Sequence, residues 1–281
     1  MKPLFMWAGG KNKMLKYYRP LMPTSITSYC EPFFGGGAMF IEVMSNYNPK
    51  TAFINDIETP VANIYREIRD NVKDFEAFVQ EYENKYLPLS KEDRKKYYYD
   101  LRNTHAWEHE SMTITQEAAT LYFLMKTGFN GIYQINKNTN NRYGTPSGLL
   151  NQKSRVYDRD VVAWWHTNLQ GVYISSDDWR TAVEMAPEDS FFFLDPPYRT
   201  SFADHNSAFN DQDLIDLICF ADEHDNVMLS NRDDDGWFEN NSLSLSKTHF
   251  PVTYTAGRRK KVDGGHEAKK AKEILLFKKK T

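Results

Sequence analysis

Between Ile26 and Asp56 the chain reads as strand, glycine turn, helix, strand and acid, and few folds accept that order. Ile26–Phe34 reads as a strand ending in Gly35-Gly36-Gly37, Ala38–Tyr47 as a helix, and Thr51–Asn55 as a short apolar strand closed by Asp56. This is the outline of a βαβ nucleotide-binding unit. Glycines let a ligand approach the backbone, and the helix that follows offers free N–H groups. The loop is neither G-x-G-x-x-G nor the Gly-Lys-Ser/Thr of a P-loop, so a ligand smaller than a dinucleotide is expected. Asp56 stands where a carboxylate commonly takes ribose hydroxyls; the competing reading is a helix cap ahead of Ile57–Pro60.

A second signature is Phe191–Leu194, wholly apolar and therefore read as a central strand, running straight into Asp195-Pro196-Pro197-Tyr198. Ligands of open α/β sheets bind at that strand end. The two prolines remove backbone donors and leave carbonyl acceptors, and an ionised Asp only accepts. Such a cluster suits an amine N–H₂, and Tyr198 offers a flat face for a planar ring. Asp and Pro are also ordinary turn residues, so the motif alone could be a plain turn.

The rest of the chain fits an α/β sheet with an insertion. From Pro60 to Arg102 the pattern is helical, with Ile64, Ile68, Val72, Phe75 and Phe78 forming an expected core stripe. Glu117–Thr127 reads as an apolar helix, and 128–153 as an ordered, Asn- and Gly-rich surface loop. Strands are expected at Val172–Ser175, Val227–Ser230 and Glu273–Phe277, and helices at Thr181–Ala186 and Asp211–Glu223. The domain reading is a sheet domain over 1–59 and 166–281, with a mostly helical insertion at 60–165.

At 281 residues, 41% hydrophobic and 26% charged, the chain is too apolar for disorder and can bury a sizeable core. Cys30 and Cys219, both in apolar surroundings, rule out a disulfide framework and favour a reducing compartment. No apolar run is long enough for a membrane span or a signal peptide, so a cytoplasmic location without membrane association is expected. The net charge of -3 hides a segregation. Residues 118–157 carry Lys126, Lys137, Arg142, Lys153 and Arg155 with no acid, and residues 256–281 carry ten Lys/Arg against three acids. Two patches facing a polyanion would explain this; a solvated tail beside an acid-free loop is the bland alternative.

Taken together, these segments resemble the Dam-type DNA adenine methyltransferases. Phe5-Met6-Trp7-Ala8-Gly9-Gly10-Lys11, Glu31-Pro32-Phe33-Phe34-Gly35-Gly36-Gly37-Ala38, Asn55-Asp56-Ile57, Gly128-Phe129-Asn130-Gly131 and Asp195-Pro196-Pro197-Tyr198 occur in that family's order, and Arg258-Arg259-Lys260 … Glu273-Ile274-Leu275-Leu276 is similar to its ending. The resemblance implies a Rossmann-like S-adenosylmethionine-dependent methyltransferase sheet domain with an inserted, mostly helical DNA-recognition domain. It implies methyl transfer to the N6 amine of a flipped-out adenine in double-stranded DNA, at GATC or a variant of it, without a metal. Trp7, Ala8, Gly9, Lys11, Pro32, Phe33, Phe34, Gly35, Gly37, Asp56, Ile57, Asp177, Trp179 and Asp195 would hold the cofactor. Asp195, Pro196, Pro197 and Tyr198 would be catalytic. Lys126, Asn130, Gln134, Asn136, Arg142, Tyr143, Pro146, Arg258, Arg259 and Lys260 would meet DNA, the cations on phosphates and the amides on base edges. A monomer is expected; a restriction partner, a mismatch-repair marker and phage self-protection would all use this chemistry.

Two departures bear on the target. In relatives that methylate GATC the position of Met6 commonly holds a lysine and that of Gln134 an arginine, and Gln can still read adenine in a bidentate way. Two other readings stand beside this one: amino-methylation of cytosine N4 or of another nucleic acid, and a silent DNA-binding module. The motif order, with the cofactor loop first, favours adenine. His105-Ala106-Trp107-Glu108-His109 matches a zinc-protease pattern but lacks a third ligand by spacing, so it reads as a solvated helix end.

Overall fold

The computed structural model describes residues 1–148, 155–199, 209–242, 244–254, 260–262, 265–267 and 269–278. In chain order its elements are α1 (Leu15–Tyr18), β1 (Ser28–Glu31), α2 (Ala38–Asn46), β2 (Thr51–Asn55), α3 (Thr59–Asp70), α4 (Val72–Tyr86), α5 (Lys91–Glu108), α6 (Ile114–Thr127), β3 (Ile135–Asn136), β4 (Arg142–Tyr143), α7 (Arg159–Leu169), β5 (Tyr173–Ser175), α8 (Trp179–Glu184), β6 (Phe191–Leu194), α9 (Asp211–Glu223), β7 (Val227–Arg232), α10 (Trp237–Asn241), β8 (Ser246–Tyr254), β9 (Lys260–Val262), β10 (Gly265–Glu267) and β11 (Lys269–Phe277).

Seven strands form one sheet in the order β5-β2-β1-β6-β7-β11-β8. β1 runs parallel to both β2 and β6, and β6 runs parallel to β7, whereas β11 is antiparallel to β7 and β8. The chain leaves β1 towards β2 on one side and resumes at β6 on the other. The switch in strand order therefore falls between β1 and β6, where open α/β sheets bind ligands. This is the mixed, Rossmann-like α/β sheet that the sequence predicted.

The chain divides into two compact units. One comprises residues 1–13, 35–44 and 55–177, and its core is helical. Ile64, Tyr65, Ile68, Phe75, Val79, Phe123 and Trp165 are each fully buried there. The rings of Phe40 and Trp165 stack at 5.4 Å and 12°. Caps start these helices: Ser90 accepts from Asp93 N, Thr113 from Gln116 N and Asp158 from Val161 N. The expected stripe holds at Ile64, Ile68 and Phe75, while Val72 and Phe78 are only half-buried. Asn71, with φ −130° and ψ 37°, ends α3 and restarts the phase in α4, so one stripe cannot serve both helices.

The other unit comprises 14–34, 45–54 and 178–281. Strand β6 shows why all four of its residues are apolar. Phe192 and Leu194 pack with Trp179, Leu214, Leu217 and Ile218 of α8 and α9, and Phe191 and Phe193 lie against Tyr29 and Tyr18. Alternate residues thus face opposite sides, both covered. An Asn210/Asp213 capping box starts α9.

Several sequence expectations change. Strand β1 stops at Glu31, because Pro32 cannot donate to a ladder. β11 begins at Lys269 rather than Glu273, and β8 and α7 were not anticipated. Strand β11 is charged at its start, which masks its length from a hydrophobicity pattern. The surface loop contains an ordered β3–β4 ribbon. Cys219 is exposed, not buried with Cys30. Trp107 and Glu108 are exposed, as a solvated helix end requires, but His105 is 1% exposed: α5 turns that residue inward.

Candidate active site

In the first unit the glycine loop, the N-terminal segment and Asp56 form a cradle. Gly35 adopts φ +48°, and a Cβ there would lie 2.5 Å from Trp7 Nε1, so only glycine lets the indole rest on the loop. Gly35 N donates to Asp56 Oδ2 at 2.8 Å, Glu58 N donates to Oδ1 at 3.0 Å, and Tyr65 Oη donates to Gly35 O at 2.7 Å. Asp56 is buried, and that burial pushes its carboxyl up to about 7 against the opposing pull of the two N–H donors. A carboxylate accepts about four hydrogen bonds, so two positions remain for hydroxyls. Lys11 is buried with Nζ donating to Gly9 O at 3.0 Å, while Ala8 is exposed and Ile57 is 66% exposed. Asn55 Oδ1 accepts from Ser175 Oγ and Asp177 N at 2.7 and 2.8 Å, which fixes the backbone beside Asp177.

In the second unit, β1 and β6 are parallel neighbours with Tyr29 beside Phe191 and Cys30 beside Phe192. Both strands therefore deliver their following loops, Pro32–Phe34 and Asp195–Tyr198, to the same sheet edge. Phe33 lies 6.4 Å from Trp179 and edge-on to Phe209 at 5.8 Å. Trp179 is buried, yet among the described residues its Nε1 donor has no hydrogen-bond partner. Asp195 is half-buried and Pro196 buried. Asn231 Nδ2 donates to Pro196 O at 3.4 Å and to Pro197 O at 3.3 Å. Tyr198 Oη donates to Glu273 Oε1 at 2.6 Å. Asn231 and Glu273 are both buried, and neither was expected to matter. Glu273 did carry a signal, as an acid heading the apolar run Ile274–Phe277; Asn231 carried none.

The loop after α6 sorts the residues expected to meet DNA. Asn130, Gln134 and Pro146 are exposed, and Asn130 takes φ 53°. Asn136 Oδ1 accepts from Asn138 N within the loop. Arg142 pairs with Glu117 at 2.5 Å, and Tyr143 is buried with its hydroxyl donating to Leu124 O. Lys126 is half-buried with its ammonium 5.9 Å from the Tyr122 ring; burial and the nearby Lys2 pull its pKa down. Arg258 and Arg259 lie outside the described residues, and Lys260 begins β9.

A mostly parallel sheet whose strand order switches between β1 and β6 is consistent with the Rossmann-like methyltransferase fold. The chain belongs to the D12 class N6 adenine-specific DNA methyltransferase family, which it matches over residues 7–252. It is 29% identical over 245 residues to the type II methyltransferase M1.LlaDCHI of Lactococcus lactis subsp. cremoris, covering 82% of this chain and 81% of that one. To the type II methyltransferase M.MjaIII of Methanocaldococcus jannaschii it is 29% identical over 246 residues, covering 82% and 84%. To the DNA adenine methylase of Haemophilus influenzae it is 24% identical over 197 residues, covering 70% and 64%. The protein is thus an adenine-specific DNA methyltransferase, and membership implies S-adenosylmethionine as methyl donor. Among the described residues no helix is long and apolar enough to cross a membrane.

Proposed function

We propose that this protein methylates N6 of an adenine within a short site of double-stranded DNA, GATC or a variant of it, after taking that adenine out of the stack. Extrusion costs a few kcal/mol, which contacts to the flipped base must offset. The observation that carries the reading is the parallel pairing of β1 and β6, which ends the Pro32–Phe34 loop and Asp195 at one sheet edge. S-adenosylmethionine, when bound, supplies a methyl group on a sulfonium.

The cradle fits that group. Asp56 takes the ribose hydroxyls with its two remaining acceptor positions, and Gly35 lets the Trp7 indole close one side of the cradle. The family resemblance adds Trp7, Ala8, Gly9, Lys11, Ile57 and Asp177 of the first unit as cofactor contacts, and Pro32, Phe33, Phe34, Trp179 and Asp195 of the second. The adenine amine is a poor nucleophile because its lone pair is delocalised into the ring. Asp195 and the Pro196 carbonyl accept its two N–H bonds and favour a pyramidal nitrogen whose lone pair can aim at the methyl. Held in this way, the amine would receive the methyl group that S-adenosylmethionine would supply. Asp195 orients the amine, whose proton finally leaves to solvent. Orientation and electrostatic placement supply the acceleration, with Tyr198 stacking on the base.

Residues 60–165 act as the recognition segment, and 1–59 with 166–281 as the catalytic part of a monomer working in the cytoplasm. Asn130, Gln134 and Pro146 meet DNA directly; Asn136, Arg142 and Tyr143 brace the loop that presents them. Lys126, Arg258, Arg259 and Lys260 contribute phosphate affinity. The test is incubation with unmethylated plasmid and S-adenosylmethionine, followed by single-molecule sequencing for modified bases. Adenine marks in one short motif are expected. Marks on cytosine, or none at all, would sink the reading.

A further inference from the structure

We propose that Tyr133 is a positioning residue that couples DNA engagement to cofactor binding; this rests on the function proposed above. Within the first unit its side chain closes a ring of contacts around the cradle. The Tyr133 ring stacks on Trp7 at 5.7 Å and 27°, and its hydroxyl donates to Glu58 Oε2 at 3.1 Å. Trp7 rests on Gly35, Gly35 N donates to Asp56 Oδ2, and Glu58 N returns to Asp56 Oδ1. Tyr133 therefore touches both walls of the cradle, the indole on one side and the residue two beyond the carboxylate on the other.

The neighbouring residue faces the opposite way. Gln134 is exposed, and its carbonyl is fixed by Gly144 N at 2.7 Å where the β3–β4 ribbon begins. Ile132 O accepts from Thr145 Oγ1 at 2.6 Å. Backbone held on both sides of Tyr133 means that a shift imposed on Gln134 by DNA moves Tyr133 with it. A second contact follows the same route, since a Cβ on Gly131 would fall 2.3 Å from Met6 Cβ, one residue from Trp7.

Coupling needs an element with two arrangements. Tyr133 borders a cavity of about 350 Å³ also lined by Ile57, Glu58, His105, Glu117 and Arg142. The cleft leaves space beside the ring, so leaving Trp7 and Glu58 would not require repacking a close-packed interior. By linkage, whatever DNA does to cofactor affinity, the cofactor does to DNA affinity.

The experiment is calorimetric titration of S-adenosylhomocysteine into the full chain, with and without an unmethylated plasmid-derived duplex. The wild type should bind it at least about fivefold tighter with DNA present. In Tyr133→Ala each ligand should still bind alone, and the tightening should fall below about twofold. Tyr133→Phe and Glu58→Ala, which keep the ring stack and lose the hydrogen bond, should lie between. These two variants decide the matter if thermal melts show that Tyr133→Ala does not fold. Wild-type tightening retained in all folded variants overturns the coupling and leaves the proposed function intact. So does a wild type that binds both ligands independently. A wild type that binds no S-adenosylhomocysteine overturns the proposed function, and the coupling with it.

Discussion

Asn231 Nδ2 donates to the carbonyl oxygens of both Pro196 and Pro197, at 3.4 and 3.3 Å, so a side chain on β7 holds the backbone that follows β6. Each carbonyl has two lone pairs, and one on each stays available. The residue acts on the reaction only through the turn it positions. Asn231→Ala should therefore lower kcat by up to about 100-fold, the cost of roughly an ångström of misplacement, while S-adenosylmethionine affinity holds. Asp195→Ala should abolish turnover and leave DNA binding in place. Steady-state methylation beside a filter-binding curve checks both, and near-normal methylation by Asp195→Ala would refute the assigned chemistry.

Asp56 makes cofactor binding depend on pH. Burial raises its carboxyl to about 7, and only the ionised form accepts from two ribose hydroxyls while keeping both backbone donors. Affinity should be about tenfold weaker at pH 6 than at pH 8, and Asp56→Asn should bind weakly at both. For the unliganded chain the sign reverses. A raised carboxyl stabilises fully below the ordinary carboxylate range, and that stability is lost as pH rises through 7. Calorimetry across pH 6 to 8 tests the first statement; a flat profile in the wild type contradicts it.

Gly35→Ala should damage the cradle more than the fold. The left-handed φ costs about 1–2 kcal/mol for a residue with a Cβ, and that Cβ would strike the Trp7 indole. Cofactor binding should be lost while the melting temperature falls by only a few degrees. Adding Trp7→Ala removes the clash but not the backbone strain, so it should recover part of the stability. No recovery in the double variant would mean that the indole does not rest on Gly35.

His105 is buried; among the described residues neither ring nitrogen has a hydrogen-bond partner, Nε2 lies 3.8 Å from Glu117 Oε1, and burial drives its pKa down to about 4. A depressed pKa contributes stability above pH 6.5 that is lost as pH falls through 4, on the order of 3 kcal/mol at one unit per 1.4 kcal/mol. His105→Leu should stabilise by about 1 kcal/mol at neutral pH by removing unsatisfied groups, and should blunt the acid loss. Urea melts at pH 5 and 7.5 read both effects, and destabilisation at both values would mean that the Glu117 contact outweighs the missing hydrogen bonds.

Much of the fold was legible because local chemistry and global fold agree. Thr51–Asn55 and Phe191–Leu194 fall on β2 and β6 residue for residue. Apolar residues on every position of a short run leave few options besides a covered central strand. The sequence missed Ser246–Tyr254 and shortened Lys269–Phe277 because these strands mix polar and apolar residues irregularly. Their antiparallel pairing, not an alternating pattern, makes them strands.

What the sequence determined by itself is the order of the chemistry: a glycine loop after a first strand, an acid after a second, and Asp-Pro-Pro-Tyr after a buried third. Each depends on residues adjacent in the chain, where backbone geometry is set by Gly, Pro and the hydrophobic run. Tertiary structure alone decided which partners tune those groups. Asn231 reaches Pro196 across 35 positions, Glu273 reaches Tyr198 across 75, and Tyr133 reaches Glu58 across 75. Such contacts follow from strand order and from packing around α6, and no local pattern encodes a side chain's distant neighbour.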